Sequence, residues 1–475
     1  MTVPLRPRPV PGLGGAALGP EEEALVLDVL RRRELFRYYG NDPQRPPPMA
    51  ATLEQEAAAL LGVDYVLAVS SGTAALEVVL GAAGIGPGDE VIVPAWSWIS
   101  CFTSVVRCGA RPVLAEVDAS LCLDPQEIAR LKTPRTKAVL VIHYQGAAAD
   151  LEAIVLAAHR RGLFVIEDCA EAPGATYRGR RVGTWGDAAI FSFQHNKPMT
   201  AGEGGLIATR DLRLYERAVR LHDLGQYRSP HAAVTPAREP AFAGGQYRMS
   251  ELTAAVALAQ LRKLDAIRDH CRALKARITA RLARLPGITL RPLADDAGDF
   301  GFEIYFYART AEAAAAFRSQ LDARNVWCQQ RTGTYPQYRR DYVQTGLAAN
   351  PALSPFREMS PWPAAGYRAE DFPRTEDLTT RFVALPLGWR YTAEDADHIA
   401  ASVEAVHAAL YPNEAARPPL AGGVLHPDSG SSPTEKSGYK TPPTGNPPTV
   451  TAPGVPPPDA PRPPLSRDRI PSSPH

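Results

Sequence analysis

The chain has 475 residues, 45% of them hydrophobic, with 52 Lys and Arg against 51 Asp and Glu and a formal net charge of +1. Such a length is ample for one large core or two smaller ones, and the balanced charge carries no polyelectrolyte signature, so nucleic acid is not an expected partner. No uninterrupted apolar stretch approaches the roughly 20 residues that cross a bilayer, no signal-peptide-like run follows the start Val3-Pro4-Leu5-Arg6-Pro7, and Cys101, Cys108, Cys122, Cys169, Cys271 and Cys328 lack CxxC spacing; a cytoplasmic protein with no membrane association and no metal is expected.

The first predicted element opens at Gly19-Pro20-Glu21-Glu22-Glu23 and closes at Arg31-Arg32-Arg33. Acids in the first turn and bases in the last suit the helix dipole, and an isolated arginine triplet falls short of a phosphate-binding cluster. From residue 64 to about 210 short apolar strands alternate with turns and helices, the signature of a mostly parallel sheet covered by helices. Strands are predicted at 65–69, 90–93, 112–116, 138–143, 163–167, 188–192 and 205–208, with helices starting near Thr73, Ser97, Asp150 and Leu212. A long Ala-, Leu- and Arg-rich helix over 250–285 leads to a smaller α/β unit, with strands at 303–307 and 381–385 and helices at 310–324 and 392–410. Beyond about Pro412 the composition turns to Pro, Ser, Thr and Gly, which cannot bury enough apolar surface to offset ordering entropy, so a disordered tail is expected. The fold class is therefore α/β. Its expected divisions are an N-terminal extension (1–19), a large domain with a seven-stranded sheet (20–265), a small C-terminal domain (266–411) and the tail (412–475). No internal repeat is visible.

Three stretches carry chemistry. After the first strand, Ser70-Ser71-Gly72-Thr73 gathers hydroxyls and backbone N–H groups at a helix start, where phosphate binds well; a plain N-cap is the alternative. Glu167 and Asp168 stand at the C-terminal end of an apolar strand, where open α/β sheets bind ligands. One of them is expected to be functional. A carboxylate there suits a protonated pyridine nitrogen, because an adjacent anion keeps the cation charged; capping a loop is the alternative. Lys197 follows the strand at 188–192 and precedes the glycine-rich Thr200-Ala201-Gly202-Glu203-Gly204-Gly205. A surface lysine is the default reading. The order of phosphate turn, strand-end Asp and lysine on one sheet edge instead suits an enzyme that forms a Schiff base with pyridoxal phosphate.

From about residue 20 to residue 410 the chain resembles the DegT/DnrJ/StrS sugar and cyclitol aminotransferases, a fold-type-I pyridoxal-phosphate group. Ser70-Ser71-Gly72-Thr73-Ala74-Ala75-Leu76 is similar to the family's SGTxAL turn, Gly88-Asp89-Glu90-Val91-Ile92-Val93-Pro94 to its GDEVIxP strand, and Glu167-Asp168-Cys169-Ala170 with Gly183-Thr184-Trp185-Gly186-Asp187 to its central block. The resemblance implies pyridoxal 5′-phosphate as cofactor, Lys197 as the Schiff-base lysine and Asp168 as the partner of the pyridine nitrogen. It also implies Ser71, Gly72, Thr73 and Ser192 around the phosphate and Trp98 stacked on the ring face, with core packing the alternative for Trp98. Gly244-Gly245-Gln246-Tyr247-Arg248-Met249-Ser250-Glu251 resembles the GxNYRMSE segment, which reaches the neighbouring subunit's phosphate, so a homodimer with shared active sites is implied. Three positions depart from the pattern. Gln246 stands for Asn, Pro173 for His, and Glu171 for a Gln beside the cofactor's phenolic oxygen, where a carboxylate would repel the phenolate unless protonated or turned away.

The implied reaction is a two-half transamination in which Lys197 moves the proton. The Ser-Phe-Gln-x-x-Lys-x-x-Thr-Ala-Gly-Glu-Gly-Gly string resembles inosose aminotransferases and aminohydroxybenzoate synthases, and Tyr335-Pro336 resembles an element of both. The expected partners are L-glutamine or L-glutamate as donor and a keto-cyclitol or keto-sugar acceptor, in secondary-metabolite, antibiotic or amino-sugar biosynthesis. A 3-amino-5-hydroxybenzoate synthase-like lyase and a non-catalytic cofactor-binding regulator are the alternatives.

Overall fold

The computed structural model describes residues 13–38, 46–329, 336–349, 354–355 and 367–414. The Pro-rich start, Tyr335 and the tail beyond Glu414 lie outside the described residues. The strands are β1 (Tyr65–Val69), β2 (Glu90–Pro94), β3 (Arg111–Ala115), β4 (Thr136–Ile142), β5 (Phe164–Asp168), β6 (Thr176–Tyr177), β7 (Arg180–Arg181), β8 (Ala188–Ser192), β9 (Gly205–Thr209), β10 (Ile288–Leu290), β11 (Glu303–Ala308) and β12 (Phe382–Pro386).

Seven of them form one sheet in the order β1-β9-β8-β5-β4-β2-β3. Pairings from β3 through β8 are parallel, and β9 alone runs against both of its neighbours. The seven predicted strands match to within two residues at each end. The reversal of β9 has a simple cause: the connection 193–204 holds no helix, and without a crossover the chain can only return antiparallel.

Alternation along the strands splits the core between the two faces of the sheet. Val66, Ala68, Val139 and Val141 join the core beneath helices Met49–Leu61, Leu151–His159 and the start of Glu251–Leu282, whereas Leu67, Val69, Leu140 and Ile142 join that beneath Gly72–Ala82, Ile99–Arg107 and Leu212–His222. Both faces are covered, which is why these strands read as continuous apolar runs.

The helix Glu251–Leu282 links this sheet to a second one, β10-β11-β12, antiparallel throughout. Its first half is tied to the helices Pro20–Arg32 and Met49–Leu61 by Lys263–Glu22 and Arg262–Glu56, and its second half to Ala393–Leu410 by Arg277–Asp397 and Arg281–Glu404. Ile304, Phe306, Val383 and Leu385 build a third core with Ala311–Asp322 and Ala393–Leu410, while Tyr305 and Tyr307, on the other face of β11, join the core of the large sheet. Strand β10, the hairpin β6–β7 and the helices Met49–Leu61, Pro125–Leu131 and Pro373–Arg381 were not among the predicted elements.

Candidate active site

The parallel strands all deliver their C-terminal ends to one edge of the sheet, and a cleft of about 490 Å³ opens there. Ser71, Gly72 and Thr73 follow β1, Trp98 follows β2, Asp168 ends β5, Ser192 ends β8, and Glu171 and Lys197 lie on the loops beyond; all eight line the cleft. The predicted cluster is thus brought together, with two exceptions.

Those are Gln246 and Arg248, which do not line this chain's cleft. Gln246 is exposed and bridges to Asp223, and Arg248 pairs with the buried Asp223 carboxylate and bridges to Val69.

At the head of Gly72–Ala82, Ser71 is extended and its Oγ accepts from Ala74 N at 3.0 Å. The N-cap reading therefore holds for Ser71. The amides of Gly72 and Thr73, in the first turn, have no intrahelical acceptor and belong to residues facing the cleft. Gly72 is required on steric grounds, because a Cβ there would fall 2.7 Å from Ser192 Cβ and 3.0 Å from its Oγ. This close approach sets a hydroxyl beside a helix N-terminus, an arrangement made for a dianionic group.

Pleating separates the paired carboxylates on β5. Glu167 turns away from the cleft and accepts from Gly183 N (2.7 Å), Trp185 N (2.7 Å), Gly186 N (2.6 Å) and His143 Nε2 (3.1 Å). His143 Nδ1 accepts from Ala149 N, so the proton sits on Nε2 and is donated to Glu167. With Cys169, these two residues form a cluster of metal-ligating types, but hydrogen bonds already occupy both of them. Asp168 points into the cleft. Its Oδ1 accepts from Ala170 N at 2.9 Å and its Oδ2 from Cys101 Sγ at 3.2 Å. Burial raises its carboxyl above the ordinary range, opposed by the Ala170 amide, the Lys197 charge and the Cys101 thiol.

Lys197 sits on a loop fixed at several points. Lys197 N donates to Gln194 O (2.9 Å), Ala201 N and Thr200 Oγ1 donate to Phe193 O, and Phe193 N donates to Gly204 O. Gly204 has φ +136°, a conformation that excludes side chains there. The short helix Leu13–Ala16 lies on the outside of the loop: Gly14 N donates to Lys197 O at 3.2 Å, and a Cβ on Gly14 would come within 2.7 Å of Thr200 N. Lys197 Nζ reaches Glu171 Oε1 at 3.3 Å, and Glu171 Oε2 accepts from Gln145 N at 3.3 Å. Glu171 is therefore turned toward the lysine. Gln145 is buried with φ +48° and ψ +56°, an uncommon backbone state for a non-glycine residue, held where the loop after β4 meets Arg291.

Trp98 caps Ile99–Arg107 with 47% of its surface exposed, whereas its neighbour Trp96 is buried at 1%. A half-exposed indole on a cleft wall favours the ligand-stacking reading over core packing. The lining also includes Cys101, Gln145, Gln194, Asn196, Glu203, Glu303, Trp327 and Gln329, none anticipated as site residues. Gln194 and Asn196 flank Lys197 and were within reach of the motif. Trp327 and Gln329 come from beside β12, where Gln329 N donates to Ala384 O, and no local pattern announces them.

The donor set fits pyridoxal phosphate: a helix start and a hydroxyl for phosphate, a buried carboxylate for a cationic ring nitrogen, an indole for the ring face and an amine for the aldehyde. Comparison with known proteins agrees. The model of the DegT/DnrJ/EryC1/StrS aminotransferase family matches residues 44–404. GDP-perosamine synthase of Caulobacter vibrioides is 35% identical over 352 residues, covering 73% of this chain and 86% of that protein. Spore coat polysaccharide biosynthesis protein SpsC of Bacillus subtilis is 32% identical over 368 residues, covering 76% and 89%. The crystal structure of DesV from S. venezuelae superposes with a TM-score of 0.69 at 31% identity, covering 85% of this chain and 99% of that one.

Proposed function

The chain belongs to the DegT/DnrJ/EryC1/StrS aminotransferase family and is a pyridoxal-phosphate-dependent aminotransferase; from that premise we propose that it moves an amino group from L-glutamine or L-glutamate to the ketone of a cyclitol or sugar. The convergence of Lys197, Asp168 and the helix start at Gly72 on one cleft carries this reading.

Within it, each side chain has a task. The Gly72 and Thr73 amides and the Ser192 hydroxyl bind the phosphate, with Ser71 holding the helix start in place. Asp168 fixes the ring nitrogen as a cation, and Trp98 covers one ring face. The bound cofactor supplies the electron sink that makes the α-proton of an amino acid labile. Lys197 would hold the cofactor through its amine and, as a free amine, would carry the proton from the donor's α-carbon. Glu171 steadies the amine at 3.3 Å. Gln246 and Arg248 belong to the partner's site in a homodimer, which accounts for their distance from this one.

The lining supports a polyol acceptor. Gln145, Gln194, Asn196, Glu203, Glu303 and Gln329 offer hydrogen bonds suited to hydroxyls, and Trp98, Trp327 and Phe302 offer flat apolar faces. The resemblance of the string Ser192 to Gly205 to inosose aminotransferases supports an inosose-like ring as the acceptor. The C. vibrioides relative is named for a GDP-linked sugar, so the decisive comparison is kinetic. Turnover with nucleotide-linked keto sugars and none with inososes would overturn the cyclitol assignment; aromatic product from an aminodehydroshikimate-like substrate would identify the synthase reaction instead.

The cofactor chemistry is tested by absorption spectroscopy. The purified protein is expected to show a visible band that bleaches on adding L-glutamine, and Lys197→Ala is expected to abolish turnover and alter the band. A colourless protein that pyridoxal phosphate cannot reconstitute would overturn the assignment.

A further inference from the structure

The start of Ile99–Arg107 brings two residues to the cleft. Trp98, the N-cap, lies on the cleft wall, and Cys101, three positions on, lies below it against the end of β5. Cys101 is buried at 1% exposure, and its Sγ is 3.2 Å from Asp168 Oδ2. Asp168 is itself buried, with Oδ1 held by the Ala170 amide. Among the described residues these are the two donors that reach the Asp168 carboxylate, one to each oxygen. Burial beside an anion raises the Cys101 thiol well above its ordinary range, so the sulfur keeps its proton and acts as the donor.

We propose that Cys101 is a positioning residue for the transamination site: its S–H fixes the orientation and charge of Asp168, and through Asp168 the protonation of the cofactor ring nitrogen. The proposal rests on the assignment of Asp168 to that nitrogen. One short helix then sets both contacts with the ring, the stacking face through Trp98 and the nitrogen's partner through Cys101. A thiol suits the position because it is small and apolar enough to bury yet still donates a weak hydrogen bond. Removing it leaves a buried carboxylate with one donor fewer, which favours the neutral acid.

The test uses full-length protein freed of cofactor and titrated with pyridoxal phosphate, comparing wild type, Cys101→Ala, Cys101→Ser and Asp168→Asn. Three readouts are followed: cofactor dissociation constant, pH profile of the visible band and unfolding midpoint of the cofactor-free protein. Cys101→Ala is expected to weaken cofactor binding about three- to tenfold, the scale of one lost hydrogen bond, and to move the acid limb of the profile to higher pH. Cys101→Ser, which restores a donor, is expected to return both toward wild type. Coincident profiles for Cys101→Ala and wild type would overturn the proposal, as would Cys101→Ser being as impaired as Cys101→Ala. Should Cys101→Ala fail to fold, the similarly shaped pair Cys101→Thr and Cys101→Val makes the same comparison of donor against non-donor. If Asp168→Asn changes neither binding nor profile, the underlying assignment of Asp168 fails instead.

Discussion

Two neighbouring carboxylates on β5 show how one residue step separates structure from chemistry. Glu167 is fully buried and accepts from three backbone amides and one imidazole, so its anion holds together the turn Gly183–Gly186. Glu167→Gln would set an NH₂ group against those amides and is expected to cost about 2–4 kcal/mol, read from denaturant unfolding of the cofactor-free protein. Asp168→Asn is expected to leave that stability within about 1 kcal/mol of wild type, because burial already disfavours its charge, while abolishing the normal spectrum. Lys197, Asp168 and the Gly72 turn were legible in the sequence because their order along the chain reflects a single sheet edge. The local pattern left the two carboxylates equivalent and the family resemblance singled out Asp168; the pleat of β5 turns that residue toward the cleft and Glu167 away from it. The Cys101–Asp168 contact was hidden for another reason: it joins positions 67 apart in the chain, and the cysteine's own surroundings read as ordinary helix.

Among the elements, the tie between the stretch at Tyr38 and the helices Leu212–His222 and Ser229–Val234 is a chain of proton donors. His222 Nδ1 faces the Val219 carbonyl and must carry a proton, so Nε2 accepts from the Tyr38 hydroxyl; that oxygen then accepts from His231 Nε2, and His231 Nδ1 accepts from Tyr215. Both imidazoles are therefore neutral. Burial, reinforced by Arg37, holds His222 well below the ordinary range and His231 down to about 2. A base whose folded pKa is depressed stabilises the fold above its unfolded pKa and loses that contribution as pH falls. Stability is accordingly expected to decline below about pH 6.5, by up to about 1.4 kcal/mol per pH unit for each histidine. Unfolding midpoints measured from pH 7.5 to 5 check this, and His231→Gln is expected to flatten the slope by about one proton. Periodicity revealed the seven strands but not the direction of β9, which depends on the missing crossover. It also passed over Met49–Leu61, whose alanines blur the apolar stripe, and Pro373–Arg381, a nearly all-polar helix that buries Thr375 and Thr379 beside Leu378.

For the whole molecule, the displacement of Gln246 and Arg248 from their own cleft has a direct test. Lys197→Ala and Gln246→Glu subunits are each expected to be nearly inactive alone, the second because a new anion would face the cofactor phosphate. Unfolded and refolded together, they are expected to regain activity, since one site of each mixed dimer would combine two intact halves; failure to complement would assign Gln246 to its own subunit or to none. The helix Leu13–Ala16 raises a different matter. Its Gly14 amide holds the Lys197 carbonyl, and it continues through Ala17, which accepts from Lys263, to Glu22, which binds Gln260 and Lys263. The segment from Gly14 to Glu22 is thereby tied to the backbone of Lys197, the proposed Schiff-base lysine. A fusion tag, protease nick or redesigned start site there is not a neutral handle: its first symptom would be a protein that purifies pale.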